Sequence, residues 1–216
     1  MCCRYWADES PELREIVEEM NHSPLVSKWH KTTGIKTHGE IRPTDVVPVI
    51  ASNRSGSRSV FPMKWGFSWK TLLMNARSES ASSKPMFKDA WASHRCIVPA
   101  SWYFEWEHFT DERGKSRTGT KYLIQPKGCD MTWLCGLYRI EEGMPVFVIL
   151  TREPGEEIRF IHNRMPLILS KDNADKWINP NTNPDDIVQS ALTDMVYEKA
   201  EEKAKALSEN TQMSFF

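Results

Sequence analysis

The chain has 216 residues, 40% of them hydrophobic, and a net charge of −1. That length and apolar fraction suffice for one domain with a proper core. The near-zero charge excludes a broadly basic nucleic-acid binder, and the absence of a run of about 18 apolar residues excludes a membrane-spanning helix.

The N-terminus reads Met1-Cys2-Cys3-Arg4. No basic segment followed by an apolar stretch opens it, so it does not read as a signal peptide. Loss of Met1 beside the small Cys2 would leave a thiol and a free α-amine on adjacent carbons. In an unperturbed chain such groups titrate at about 8.5 and about 7.7–8.0, which leaves a useful fraction of each nucleophilic near neutrality. Such a pair can trap an aldehyde twice, first as an imine and then as a five-membered thiazolidine. The bland alternative makes Cys2 and Cys3 small apolar residues of a first strand.

Ser10-Pro11 supplies an N-cap and a first-turn proline, and Leu13, Ile16, Val17 and Met20 follow at helical spacing. Residues 21–36 are polar and irregular. Arg42-Pro43-Thr44 precedes an apolar strand over 46–51. The loosely alternating stretch 60–69 places Trp65, Phe67 and Trp69 at period two, on one face of a strand. A short helix is expected over 87–94, and one aromatic-rich strand over 95–106. Three more strands are expected over 121–125, 132–140 and 146–151, the last two joined by a tight turn at Glu141-Glu142-Gly143. Short helices are expected over 156–161, from the Ser170 cap through Trp177, and over 185–192. The Ala/Lys/Glu-rich stretch 194–207 predicts a helix lying on the body. The pattern is that of an α+β single domain, a curved, mostly antiparallel, barrel-like sheet with flanking short helices. The body is placed at 1–192, with a charged helical or disordered tail at 193–216.

Four separated pieces resemble one family, in its order. They are Met1-Cys2-x-Arg4; Asn75-Ala76-Arg77-Ser78-Glu79; Arg95-Cys96-Ile97-Val98-Pro99-Ala100 running to Glu105-Trp106; and Ile161-His162-x-Arg164-Met165-Pro166. They are similar to the SOS-response-associated peptidase (SRAP) family over about residues 1–190. The resemblance implies covalent capture of abasic sites in single-stranded DNA by the N-terminal cysteine; the family's older name records self-removal of the preceding residue. The chain departs from the family in three places. Cys3 stands where the family has Gly, which raises the question of a competing thiol. Trp102-Tyr103-Phe104-Glu105-Trp106 replaces Gly-Phe-Tyr-Glu-Trp. The stretch between Trp65 and Asn75 is short.

On this resemblance Cys2 supplies both nucleophiles. Glu105, its pKa raised by partial burial among aromatic rings, moves the protons of imine formation. His162 serves the sugar ring oxygen and reversal of the linkage. Asn75 orients Cys2 or the sugar. Arg4, Arg77 and Arg164 read as phosphate clamps, Trp69 and Trp106 as stacking or wedging rings, and Pro43 as an apolar wedge. Cys3, Cys96, Cys129 and Cys135 form no C-x-x-C pair, so no zinc site is expected. No phosphate loop or dinucleotide fingerprint points to a cofactor either. Five cysteines, an odd number at irregular spacing, argue against a secreted disulfide scaffold and for a reducing, cytoplasmic, nucleoid-associated setting. A monomer is expected.

The chain ends Gln212-Met213-Ser214-Phe215-Phe216, similar to the Gln-Leu-Ser-Leu-Phe peptides by which bacterial repair proteins hold the sliding clamp. Gln212, Met213, Phe215 and Phe216 are therefore clamp-binding candidates. Two other readings fit the same residues. A cysteine peptidase would use Cys2, His162 and Asn75; a non-catalytic single-strand DNA binder would not need Cys2.

Overall fold

Apolar runs without period-two alternation belong to strands buried on both faces, and in the computed structural model, which describes residues 3–201, those runs build a barrel. The elements in chain order are β1 (Arg4–Ala7), α1 (Pro11–Asn21), α2 (Val26–His30), β2 (Gly39–Ile41), β3 (Val46–Ser52), β4 (Arg58–Trp65), β5 (Asn75–Arg77), α3 (Ser78–Ala81), α4 (Pro85–Ser93), β6 (Arg95–Ala100) and β7 (Trp102–Thr110). There follow β8 (Ser116–Pro126), β9 (Thr132–Glu141), β10 (Met144–Arg152), a 3-10 turn (Glu156–Ile158), β11 (Met165–Pro166), β12 (Ile168–Leu169), α5 (Lys171–Ile178), α6 (Pro184–Val188) and β13 (Met195–Lys199).

Five strands close on themselves. β3 pairs with β4 and with β6, β6 with β9, and β9 with β10, all antiparallel. A parallel β10–β4 pairing, with Val146 opposite Lys64 and Phe147 opposite Trp65, completes the ring. Closure removes the sheet edges and explains why Val49, Ala51, Val98, Leu134, Leu137 and Val148 are completely buried. A second, antiparallel sheet runs β13-β8-β7-β1-β2. It meets the barrel through Tyr5, whose ring lies 5.5 Å from that of Trp65. The α+β class and the barrel-like sheet thus agree with the sequence reading.

The local signals account for most elements. Ser10 Oγ accepts from Leu13 N–H and Ser170 Oγ from Asn173 N–H, each closing the first turn of its helix. Glu142 and Gly143 both take positive φ, 51° and 77°, as a two-residue turn between twisted antiparallel strands demands.

Four expectations need correction. The strand read over 95–106 is two strands in different sheets, broken at Ser101. Its N–H donates to Trp6 O (2.8 Å) and its Oγ accepts from Asp8 N–H (3.0 Å), so the chain passes here from barrel to second sheet. The shared face of Trp65, Phe67 and Trp69 does not exist. Gly66 at φ +119° ends β4, Phe67 pairs back on Leu73, and Trp69 is 61% exposed while the other two are fully buried. Residues 26–30, read as irregular, include α2, held by Trp29, whose Nε1–H donates to Pro62 O at 2.9 Å. The helix read from 194 onward begins instead as β13, because Met195-Val196-Tyr197 finds the edge of β8, and tertiary pairing overrides a weak helical propensity.

Candidate functional site

The middle of β7 carries Glu105, 2% exposed on the side that faces the barrel. Burial pushes its carboxyl above the ordinary range. β1 lies beside it, with Arg4 opposite Phe104 and Tyr5 opposite Tyr103. Continuing that register one residue toward the N-terminus sets Cys3 opposite Glu105. Burial, and then the charge of Glu105, push the Cys3 thiol up. A thiol pushed up in this way is a poorer source of thiolate than an unperturbed one. Cys2 lies outside the described residues, as do the clamp-binding candidates Gln212, Met213, Phe215 and Phe216.

The barrel contributes the opposite wall through the end of β10. On one side β5 pairs with it in parallel, Asn75 opposite Ile149 and Arg77 opposite Thr151. On the other, β11 pairs with it, Pro166 opposite Thr151. The loop leading into β11 holds His162. Arg164 fixes that loop in two ways. Its backbone N–H donates to His162 Nδ1 (3.0 Å). Its guanidinium donates in a fork to Glu79 Oε1 and Oε2 (2.7 and 2.8 Å) and to Thr151 O (2.7 Å).

Glu105 and His162, far apart in sequence, converge with a third side chain that sequence reasoning missed. One donor atom each of Glu105, His108 and His162 lie within 4.8 Å of one another, and the two imidazoles meet edge to face, centroids 4.9 Å apart. Residues three apart on a flat strand point to opposite faces, so Glu105 and His108 should not meet. They do because the β7–β8 ladder slips between Trp106, opposite Lys121, and His108, opposite Thr118. Such an irregularity bends and over-twists the strand. Burial first, and then nearby positive charge, lowers the His162 pKa to about 4, so its ring is neutral near pH 7. With Nδ1 accepting from Arg164, the proton of that neutral ring sits on Nε2. His162 thus presents a hydrogen-bond donor rather than a lone pair for a cation, and the trio is arranged for moving protons.

The remaining candidates separate into two groups. Arg4 and Trp106 are neighbours on the face of the second sheet opposite Glu105, the guanidinium 5.7 Å from the ring centroid. There Glu40, a residue that no sequence signal singles out, accepts from Arg4 (2.6 Å) and Lys121 (2.7 Å) and pairs with Arg42 (3.0 Å). Burial opposes ionisation, but the hydrogen bonds from Lys121 and Arg4 outweigh it and bring the Glu40 carboxyl to about 2. Three cations around one carboxylate leave the face positive. Pro43 is half-buried in the turn between β2 and β3. Arg77, at the end of β5, is exposed. Trp69 stands in the 66–73 loop, and no contact joins it to the trio among the described residues. Arg164, like Arg4, is already engaged by a carboxylate, here Glu79 through both branches of its fork.

A family model described as SOS response associated peptidase (SRAP) matches residues 1–210. The chain is 34% identical over 198 residues to the abasic site processing protein YobE of Bacillus subtilis, covering 84% of each chain. It is 32% identical over 165 residues to YoaM, an abasic site processing protein of the same organism, covering 70% of each. A solved structure of a protein from Bacteroides thetaiotaomicron superposes with a TM-score of 0.68 over 92% of this chain and 91% of that one, at 21% identity, and so shares the fold.

Proposed function

The chain belongs to the SOS response associated peptidase (SRAP) family, and on that footing we propose that it processes abasic sites in single-stranded DNA, capturing them covalently through Cys2 after Met1 is removed. The observation that carries this reading is the convergence of Glu105, His108 and His162 beside Cys3, the immediate neighbour of Cys2. Its relatives YobE and YoaM are named for abasic-site processing.

The chemistry follows from the groups present. An abasic sugar exchanges between a closed hemiacetal and an open aldehyde. The neutral His162, with its proton on Nε2, hydrogen-bonds the ring oxygen, which takes up a proton as the C1′ hydroxyl gives up its own, so the ring opens to the aldehyde with no net change of protons. The Cys2 amine then adds to the C1′ carbonyl to give a carbinolamine. Glu105, its carboxyl pushed up by burial, passes a proton to the hydroxyl, which leaves as water, and a C=N bond forms. The Cys2 sulfur attacks that carbon and closes the thiazolidine. An amine, a thiol and an aldehyde become one ring and one water, with no change of oxidation state. Arg4, Arg77 and Trp106 hold the strand by phosphate and ring contacts.

The test is a denaturing gel with a single-stranded abasic oligonucleotide, comparing wild type, Cys2→Ala and a form whose N-terminal methionine cannot be removed. A heat-stable adduct for wild type alone is expected. An undiminished adduct in either variant sinks the reading.

A further inference from the structure

We propose that His108 is the proton relay of this site, a positioning residue that acts through Glu105 by returning protons to it from solvent. The inference rests on the capture reading above and deepens it. Glu105 is 2% exposed, and a carboxyl so buried cannot exchange protons freely with bulk water. Capture requires it to do so, because Glu105 must first gain from outside the proton that it gives to the departing hydroxyl, a step that precedes the thiol's release of its own. The thiol that closes the ring releases one proton, so the overall balance is neutral, but the release and the demand occur at different steps.

His108 occupies the position that connects the two. Its side chain is exposed, while one of its ring nitrogens lies within 4.8 Å of both the Glu105 carboxylate and a His162 nitrogen. Atoms that close meet directly or through one water making two hydrogen bonds. The ladder slip between Trp106 and His108 brings the ring there, and irregularities of this kind re-aim side chains beside active sites. A second contact keeps the geometry. The His108 backbone N–H donates to Ile161 O at 3.1 Å, tying β7 to the loop that carries His162. The tether is backbone, so changing the side chain leaves it in place and isolates the ring's contribution. His162 does not take this role itself, since Arg164 occupies its Nδ1.

The experiment measures single-turnover adduct formation by the full-length protein with its mature N-terminus, using wild type, His108→Ala, His108→Gln and Cys2→Ala. Both His108 variants are expected to slow the reaction by roughly tenfold at unchanged melting temperature. Free imidazole should restore His108→Ala but neither His108→Gln, whose side chain fills the space, nor wild type. Wild-type rates in both His108 variants, or slow rates indifferent to imidazole, overturn the relay while leaving capture intact. Absence of a Cys2-dependent adduct in wild type overturns the capture reading and the relay with it.

Discussion

Arg164 grips the Glu79 carboxylate with two parallel hydrogen bonds of 2.7 and 2.8 Å while its own backbone N–H holds His162 Nδ1 at 3.0 Å. One residue thus anchors the loop to α3 and sets the tautomer of the histidine two positions before it. Arg164→Lys removes the fork, because an ammonium cannot reproduce planar bidentate geometry. The expected result is a stability loss of about 1–2 kcal/mol in urea melts, with adduct formation slowed more than DNA affinity is weakened. The reverse ordering would return Arg164 to the role of a phosphate clamp. The Arg164 hydrogen bonds also hold the Glu79 carboxyl below its ordinary value. That stabilisation is present above the unfolded carboxylate value and is lost as pH falls through the folded one. Glu79 is half-exposed, so solvent screening keeps the contribution under about 1 kcal/mol.

The pH dependence of stability should carry the imprint of His162. Its folded pKa is about 4, below the unfolded value of about 6.5. Between those values the unfolded chain binds a proton that the folded chain does not. Stability therefore falls as pH is lowered from about 6.5 to about 4 and gains no further loss from this group below that. Urea midpoints for wild type and His162→Gln across pH 4 to 7 check it: the wild-type slope should be the steeper. Equal slopes would mean that the imidazole is not held neutral.

Arg95 is the largest buried cation, 2% exposed, and it carries no carboxylate partner among the described residues. Its guanidinium donates instead to the carbonyls of Trp91, Ala92, Trp177, Asn179 and Thr182 and lies over the Trp177 ring. It thus ties the end of α4, the end of α5 and the turn after it to β6. Arg95→Leu leaves several buried carbonyls without donors, at about 3–5 kcal/mol in total. Denaturant unfolding should register that loss, and a loss below about 1 kcal/mol would show that water replaces the guanidinium.

Trp69 offers the opposite case. At 61% exposure it contributes little to folding, so Trp69→Ala should change stability by no more than about 0.5 kcal/mol. If the ring stacks on a base, affinity for single-stranded DNA should fall by about 1–3 kcal/mol, read by fluorescence anisotropy. Unchanged affinity removes Trp69 from the DNA path.

Features that depend only on neighbours along the chain were legible in the residues themselves. The apolar runs announced the barrel strands, Ser10 and Ser170 announced two helix starts, and Glu142-Gly143 announced a hairpin turn. Periodicity and caps are local physics, so they are written locally. Folding in three dimensions was needed to settle that Trp69 leaves the face of Trp65, that residues 195–199 join β8, that Arg164 engages Glu79, and that His108 meets Glu105 and His162. Those outcomes depend on ladder register and strand twist. Both are fixed by pairings between distant segments, and a one-residue slip in such a pairing changes which side chains meet.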